Sequence, residues 1–293
     1  MSARRRALVP SMMALGFAFL YLPILSMIVY SFNNSRLVTV WDSVHSPTLK
    51  WYAALFHNAQ ILDAAALSIR IAAMNATGAV ILGTMAGMAL VRFRNVPLRG
   101  VLGALTTAPL VLPEIITGLS LLLLFVSLEQ IIGWPRRRGV TTITIAHITF
   151  SLSYVSVIVQ ARLAGFDGSL EEAALDLGAR PATVFRRITL PLIMPAIVSG
   201  WLLAFTLSWD DVVISQFVAG PGSSTLPMVI FSKVRLGVSP DVNALATLMV
   251  LIVASGVVVS TLWMQRRERR LELEAREGLA QQASVRDPSG EPA

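Results

Sequence analysis

The chain lacks cysteine altogether and contains few charged residues. Without cysteine among its 293 residues, it has no disulfide, no thiolate metal site and no cysteine nucleophile. Asp, Glu, Lys and Arg make up only 14% of the sequence, against about 25% in a typical soluble domain. Hydrophobic residues reach 55%, and the mean hydropathy is +0.67. This composition excludes a disordered chain and an ordinary water-soluble domain, and it predicts an integral membrane protein.

Motifs of hydrolytic enzymes are also missing. The sequence contains neither GxSxG nor HExxH, and it has only three histidines. His147 and Ser151 lie four residues apart, where two side chains can meet on one helix face, so an intramembrane serine protease is one alternative. A catalytic serine also needs an activating base and an oxyanion hole, and no motif supplies them. We therefore expect His147 to form hydrogen bonds within a helix bundle.

Six apolar stretches are long enough to cross a membrane, since a helix needs about 20 apolar residues to span ~30 Å of hydrocarbon. The stretches are residues 7–32, 63–90, 100–132, 141–163, 190–218 and 243–264. The third and fifth are longer than one span needs, which predicts tilt, a kink or a break in each. The sequence thus predicts an all-α membrane protein with six transmembrane helices.

Basic residues predict the orientation of these spans. If both termini are cytoplasmic, the inner segments hold twice as many Lys and Arg residues as the outer ones, and cytoplasmic loops do collect such residues. The cluster Arg136–Arg138 lies on the outer side and is an exception. We therefore predict a cytoplasmic N-terminus at residues 1–6 and a charged cytoplasmic tail at residues 265–293.

Few acidic residues lie inside the predicted spans, and Glu114, Asp210 and Asp211 are the candidates among them for a function in transport. An ionised carboxylate facing lipid at mid-membrane costs at least ~2.5–3.5 kcal/mol, so these residues should face the bundle, a wet pathway or a partner helix. Adjacent helical residues point about 100° apart, so at most one aspartate points straight into a pathway, and the sequence does not choose between them. Glu114 has a second interpretation, because Pro109 and Pro113 free backbone groups that it can satisfy.

The loop between the fourth and fifth spans, residues 165–189, predicts a cytoplasmic helix–turn–helix. Ser169 is a candidate N-cap, and Glu171 and Glu172 in the first turn favour the helix dipole. Gly178 allows a turn, and the proline three residues later suits the start of a second short helix. The loop therefore offers a small, partly apolar face to a partner.

In this loop, Glu172-Ala173-Ala174 is followed after three residues by Gly178 and after nine more by Ile188-x-Leu190-Pro191. This spacing resembles the EAA signature of bacterial ABC-importer permeases, which have the type I permease fold. Further segments resemble the polyamine permeases of this class, and most of all the second permease subunit of putrescine importers: residues 31–41, 108–125, 146–150, 207–240 and 243–248. Trp209 departs from that pattern, where leucine is expected, and the tail shows no resemblance.

The resemblance implies a transport subunit, not an enzyme, that moves a polyamine, most of all putrescine, across the bacterial inner membrane. It implies a second homologous permease, two copies of an ABC ATPase and a periplasmic polyamine-binding protein as partners, together with membrane lipid but no nucleic acid. The sequence has no GxxxxGK[ST] phosphate loop, so ATP and Mg²⁺ are expected on the ATPase, with no cofactor or metal in this chain. Spermidine or another small solute is the alternative substrate, and a secondary transporter is the alternative class.

The resemblance also assigns roles to particular residues. It implies that the loop is a coupling helix that docks into a groove on the ATPase through Glu172, Ala173, Ala174 and Gly178. Closure of the ATPase would then move this helix and rotate the spans between inward- and outward-facing states. A polyamine calls for spaced carboxylates between aromatic or apolar walls. The candidate pathway residues are Glu114, Asp210, Asp211, Trp209 and Trp201, and the two tryptophans are also compatible with plain packing.

Overall fold

The computed structural model describes residues 3–35, 40–93, 97–237 and 240–255, with residues 258, 261, 262 and 265. Every regular element in these ranges is a helix, which confirms the all-α prediction. In chain order the helices are α1 (Ala3–Ser31), α2 (Lys50–Phe56), α3 (Ala59–Arg92), α4 (Arg99–Val111), α5 (Glu114–Ile132), α6 (Val140–Ala164), α7 (Ser169–Asp176), α8 (Pro181–Val184), α9 (Leu190–Trp209), α10 (Val213–Val218), α11 (Leu226–Leu236) and α12 (Pro240–Ser255).

The chain divides into two compact units, residues 1–55 with 238–293 and residues 56–237. In the first unit, hydrogen bonds organise the loop between α1 and α2. Asn33 is buried and accepts from the Asp42 backbone N–H at 3.0 Å, while the Asn33 carbonyl accepts from the Trp51 indole at 2.7 Å. The Asn34 side-chain amide donates to Asp42, and this hydrogen bond is the main cause that lowers the pKa of Asp42 to about 2.

Five helical stretches in the described ranges are long and apolar enough to cross a membrane. They are Pro10–Ser31, Ala59–Arg92, Glu114–Ile132, Val140–Ala164 and Pro181–Trp209. They cover the second and fourth predicted spans completely and the larger parts of the first, third and fifth. The sixth predicted span, residues 243–264, begins within α12, which is a shorter apolar helix. The rest of that span lies partly outside the described residues, as do nearly all of the 265–293 tail and the start of the 1–6 segment.

The third predicted span is two helices instead of one. α4 ends at Val111, and α5 begins at Glu114 after an extended residue, Leu112, with a ψ of 135°. Pro113 explains the interruption, because its ring disfavours helical backbone at the preceding residue and it has no N–H to donate. The predicted span at residues 100–132 is therefore interrupted at residues 112–113, and α5 alone is long enough to cross.

The fifth predicted span begins earlier and ends earlier than the sequence suggests. α8 runs through a π-turn, Phe185–Thr189, into α9, so the helical segment starts at Pro181 instead of residue 190. Such a wider turn is usually found as a single interruption within an α-helix. The segment ends at Trp209, and Asp210–Val212 separate it from α10. Part of the predicted range 190–218 is thus a second break followed by a short helix.

Helices α3, α6 and α9 form the centre of the second unit, and glycines let α3 approach α6 closely. A Cβ atom added to Gly83 would lie 2.8 Å from both the Leu152 carbonyl oxygen and the Val155 Cβ. At Gly87 it would lie 2.9 Å from the Ser156 carbonyl oxygen. Small residues favour helix association in lipid because they allow close van der Waals packing of the backbones. We name this glycine-lined contact the α3–α6 seam.

A buried amide links the same three helices. Asn75 of α3 is fully buried, and its side-chain N–H groups donate to the Ser151 hydroxyl at 3.1 Å and to the Ala204 carbonyl at 2.7 Å. Ser151 belongs to α6 and Ala204 to α9, so one side chain bridges the centre of the bundle. Interhelical hydrogen bonds of this kind contribute about 0.6 kcal/mol on average in membrane proteins.

Candidate functional site

The loop between α6 and α9 forms a short helix, a turn and a second short helix. Gly178 follows α7 with a φ of +82°. Its N–H donates to the Leu175 carbonyl, and the Ala179 N–H donates to the Ala174 carbonyl, which together make the Schellman arrangement that ends many helices. Because glycine adopts the left-handed conformation without steric cost, the spacing from Glu172 to Gly178 reflects the length of this short helix.

The candidate coupling residues lie on an open face of α7. Glu172 and Ala173 are exposed, and Ala174 is half-buried. Leu175 and Leu177 beside them are 44% and 89% exposed. An acid surrounded by small and apolar side chains on a projecting helix is chemically suited to a protein partner. Of the four coupling candidates, only Glu172 carries a polar side-chain group.

The prediction that Ser169 caps α7 is wrong. Gly168 occupies the N-cap position, and Ser169 is the first helical residue. The Asp167 carboxylate instead accepts a hydrogen bond from the Ser169 backbone N–H at 3.0 Å. This hydrogen bond lowers the pKa of Asp167 below its usual value. Asp167 and Ser169 have similar capping chemistry and lie two positions apart, and it is the Asp167 side chain that accepts a backbone N–H at the start of α7.

Glu171, next to the predicted docking residue, is held within the protein. Its carboxylate accepts hydrogen bonds from the Arg92 guanidinium and from the Thr189 hydroxyl. Arg92 also donates to the Thr189 hydroxyl at 3.4 Å. The sequence argument placed Glu171 only in the first turn of a helix and missed this contact, because Arg92 is 79 positions away in the chain. We name this cluster of three side chains the Glu171 anchor.

Asp211 is engaged in a buried cluster around His147. The His147 Nε2 atom lies 3.1 Å from both the Asp211 carboxylate and the Ser215 hydroxyl, and Nδ1 lies 2.6 Å from the Ser208 hydroxyl. The Asp211 carboxylate also accepts from the backbone N–H groups of Ile214 and Ser215, which fixes the start of α10. The side chains of His147 and Asp211 are 2% and 8% exposed. His147 therefore bonds within the bundle, as predicted.

Ser208, His147 and Asp211 are hydrogen-bonded in the same order as the serine, histidine and aspartate of a hydrolase triad, but the resemblance ends there. Ser208 is 5% exposed, so a substrate carbonyl cannot reach its hydroxyl. Ser151, the partner considered from the sequence, is bonded to Asn75 and takes no part in the histidine cluster. Both observations agree with a structural role for His147.

Asp210 has a different environment from Asp211. It is exposed and follows a row of stacked aromatic rings on α9. The ring centroids of Trp201 and Phe205 are 5.4 Å apart, and those of Phe205 and Trp209 are 6.2 Å apart, with interplanar angles of 19° and 10°. The Trp201 indole donates to the Thr77 hydroxyl at 3.3 Å. We name Trp201, Phe205 and Trp209 the aromatic row, and Phe205 is a member that the sequence argument missed.

Glu114 lies at the break between α4 and α5. It is exposed and is the first residue of α5, where a negative charge suits the helix dipole. The backbone N–H groups of Ile116 and Thr117 bond to the Pro113 carbonyl instead of to Glu114. These two N–H groups do not depend on Glu114, and its alternative role in satisfying backbone groups freed by the prolines stays a prediction. Glu114 takes no part in the cluster around His147.

The fold is that of the membrane subunits of ABC importers. A chain of a bacterial ABC transporter that imports the acidic polysaccharide alginate matches with a TM-score of 0.69 at 17% identity, covering 89% of this chain and 98% of that one. A chain of the MetNI methionine ABC transporter, in an inward-facing conformation, matches with a TM-score of 0.56 at 16% identity, covering 68% and 92%. At such low identity these likenesses establish the architecture alone.

The chain belongs to the family of binding-protein-dependent transport system inner membrane components, whose model matches residues 79–273. The putrescine transport system permease protein PotI of Escherichia coli strain K12 is 54% identical over 258 residues, which cover 87% of this chain and 90% of the relative. The spermidine/putrescine transport system permease protein PotC of the same strain is 44% identical over 246 residues, covering 84% and 89%. The chain is thus a membrane permease of an ABC transporter, a transport component and not an enzyme.

Proposed function

We propose that the chain is the permease subunit of an ATP-driven importer that carries putrescine across the bacterial inner membrane. The observation that carries this proposal is the 54% identity to a putrescine permease over nearly the whole chain. The lower identity to a spermidine/putrescine permease makes spermidine the second candidate solute. Exposed carboxylates and stacked aromatic rings suit either cation, so the site chemistry supports a polyamine without selecting one.

The proposed topology has six spans and both termini in the cytoplasm. Five helices of suitable length and an apolar α12 support it, as does the excess of basic residues on the inner side. In this orientation α7 and the Glu171 anchor are cytoplasmic, whereas Arg136–Arg138 is outside. Arg138 has a local role there, since it donates to the Phe217 carbonyl at 3.2 Å.

The proposed importer contains a second homologous permease, two copies of an ABC ATPase and a periplasmic polyamine-binding protein. The family description itself refers to a binding protein. This chain has no phosphate-binding loop in its sequence, so ATP and Mg²⁺ are assigned to the ATPase. We assign docking on the ATPase to Glu172, Ala173 and Ala174, with Gly178 setting the turn, because this face of α7 is open.

Within the proposed pathway, we assign cation contact to Asp210, the aromatic row and Glu114. Asp210 and Glu114 are exposed carboxylates in a chain where charge is scarce. Aromatic faces attract ammonium groups, and the aromatic row leads along α9 to Asp210. Asp211 is left out of this group, because His147 and the α10 backbone already engage its carboxylate. This choice separates the two aspartates that the sequence left equivalent.

The proposed function is tested by uptake of labelled putrescine in cells that lack this gene and other polyamine importers. Loss of uptake on deletion and recovery on complementation, with weak competition by excess spermidine, is the expected result. Strong competition by spermidine would favour the second candidate solute. Uptake that does not depend on the gene would contradict the polyamine assignment, and uptake without any ATPase subunit would indicate a secondary transporter.

Glu114→Gln is expected to lower polyamine uptake by about tenfold, because it removes one cation-binding charge while keeping the size of the side chain. A tenfold change corresponds to about 1.4 kcal/mol, a modest value for a charge partly screened by water. The measurement is the maximal uptake rate together with polyamine-stimulated ATP hydrolysis. Kinetics like those of the parent would assign Glu114 to the structure of the break instead. Glu129→Gln, on the same helix, is the matched control.

A further inference from the structure

The Glu171 anchor joins α7 to two long helices through one carboxylate. Arg92 is the last residue of α3, and Thr189 directly precedes α9. The Glu171 side chain is 18% exposed and Thr189 is 1% exposed, whereas Glu172 is exposed. Neighbouring helical residues diverge by about 100°, so one turn of α7 presents one glutamate to the bundle and the other to its surroundings.

Glycines bracket α7 on both sides. Gly165 follows α6, Gly168 precedes α7, and Gly178 ends it with a φ of +82°. Glycine backbone has more conformational freedom than that of any other residue. A short helix between such flexible residues can change its orientation when a partner pushes on it. The Glu171 anchor is a side-chain contact that holds α7 directly to α3 and α9.

We propose that Glu171 is a positioning residue that makes α7 move together with α3 and α9. A displacement of α7 by the ATPase then rotates both long helices instead of being absorbed at the glycines. The two adjacent glutamates have separate tasks, since Glu172 meets the partner and Glu171 transmits the motion. This inference rests on the proposed function, which supplies the ATPase and the transported cation.

The first test compares ATP consumption with transport in the complete importer, reconstituted in proteoliposomes with its binding protein. Glu171→Ala and Arg92→Glu are expected to raise the number of ATP molecules hydrolysed per putrescine imported by about fivefold or more, the lower end of usual coupling effects. The exchange variant Arg92→Glu with Glu171→Arg should bring this ratio back to within about twofold of the parent, because it restores the ion pair in reverse. Asp176→Ala, an exposed position on α7, is the matched control and should leave the ratio unchanged.

The second test measures the position of α7 without depending on transport. Since the chain has no cysteine, Phe93→Cys at the end of α3 and Asp176→Cys on α7 give a unique pair of spin-label sites. The distance distribution between the labels is expected to widen when Glu171→Ala is added. An unchanged width, an unchanged number of ATP molecules hydrolysed per putrescine imported in the single variants, or no recovery of this ratio in the exchange variant would overturn the proposal. If the parent importer moves no polyamine, the proposed function fails, and the spin-label distances still decide whether Glu171 holds α7.

Discussion

Gly178→Leu is expected to abolish ATP-driven uptake while the protein still reaches the membrane. The φ of +82° at Gly178 costs an L-residue with a side chain about 1–2 kcal/mol, so the turn that directs the chain from α7 to α8 is lost or displaced. No atom lies within 4 Å of an added Cβ, so the effect comes from the backbone and not from a clash. The measurement is putrescine uptake, normalised to the amount of permease in isolated membranes.

Two substitutions serve as controls for this prediction. Gly168→Leu adds the same side chain at the other end of α7, where φ is −62° and no atom lies within 4 Å of the Cβ, and it should retain transport. Gly178→Asn should retain part of the activity, because asparagine tolerates the left-handed region.

Glu172→Arg should abolish transport as Gly178→Leu does, since it reverses the charge on the docking face. Normal uptake in both Gly178→Leu and Glu172→Arg would disprove the coupling assignment.

Asp210→Asn and Asp211→Asn are expected to affect different properties, although the residues are adjacent: the first lowers transport and the second lowers stability. Asp210→Asn should lower putrescine uptake per permease molecule by tenfold or more, about 1.4 kcal/mol, with normal abundance and thermal stability. Asp211→Asn should lower the free energy of unfolding by about 1–3 kcal/mol, because it leaves buried hydrogen-bonding groups around His147 without their acceptor. Its uptake per folded molecule should stay close to that of the parent.

These outcomes are read from three measurements on each variant: membrane abundance, the melting temperature in detergent and the uptake rate. Ser208→Ala is a useful companion to Asp211→Asn, because it removes the hydrogen bond at Nδ1 of His147 and should likewise lower stability without lowering uptake per folded molecule. If Asp211→Asn is stable but transports poorly, Asp211 belongs to the pathway and the separation of the two aspartates is incorrect.

Much of the helical framework could be predicted from local sequence. The ends of the second predicted span lie two to four residues from those of α3, and the ends of the fourth lie one residue from those of α6, because a long apolar run marks the limits of a membrane-spanning helix. Pro113 and Gly178 act on their own backbone, so the break after α4 and the turn after α7 were also accessible. In each case the physical cause lies within a few residues of its effect.

The side-chain contacts that determine the environments of Asp211 and Glu171 could not be predicted from local sequence. His147 and Asp211 are 64 positions apart, and Arg92 and Glu171 are 79 apart. The choice between Asp210 and Asp211 depends on where α6 places an imidazole, which no local pattern encodes. Ser169 shows that even local chemistry is ambiguous, since Asp167 is an equally good capping residue two positions away.

The α3–α6 seam has a mechanical consequence. At Gly83 and Gly87 the backbones of α3 and α6 are so close that few side-chain atoms lie between them. Because few side chains there can repack, one helix can slide along the other only if the two helices first move apart. We therefore expect α3 and α6 to move together as one rigid body. Bending is left to residues 112–113 and 210–212, where the helical hydrogen-bond ladder is already interrupted, and these two breaks are the natural hinges of the bundle.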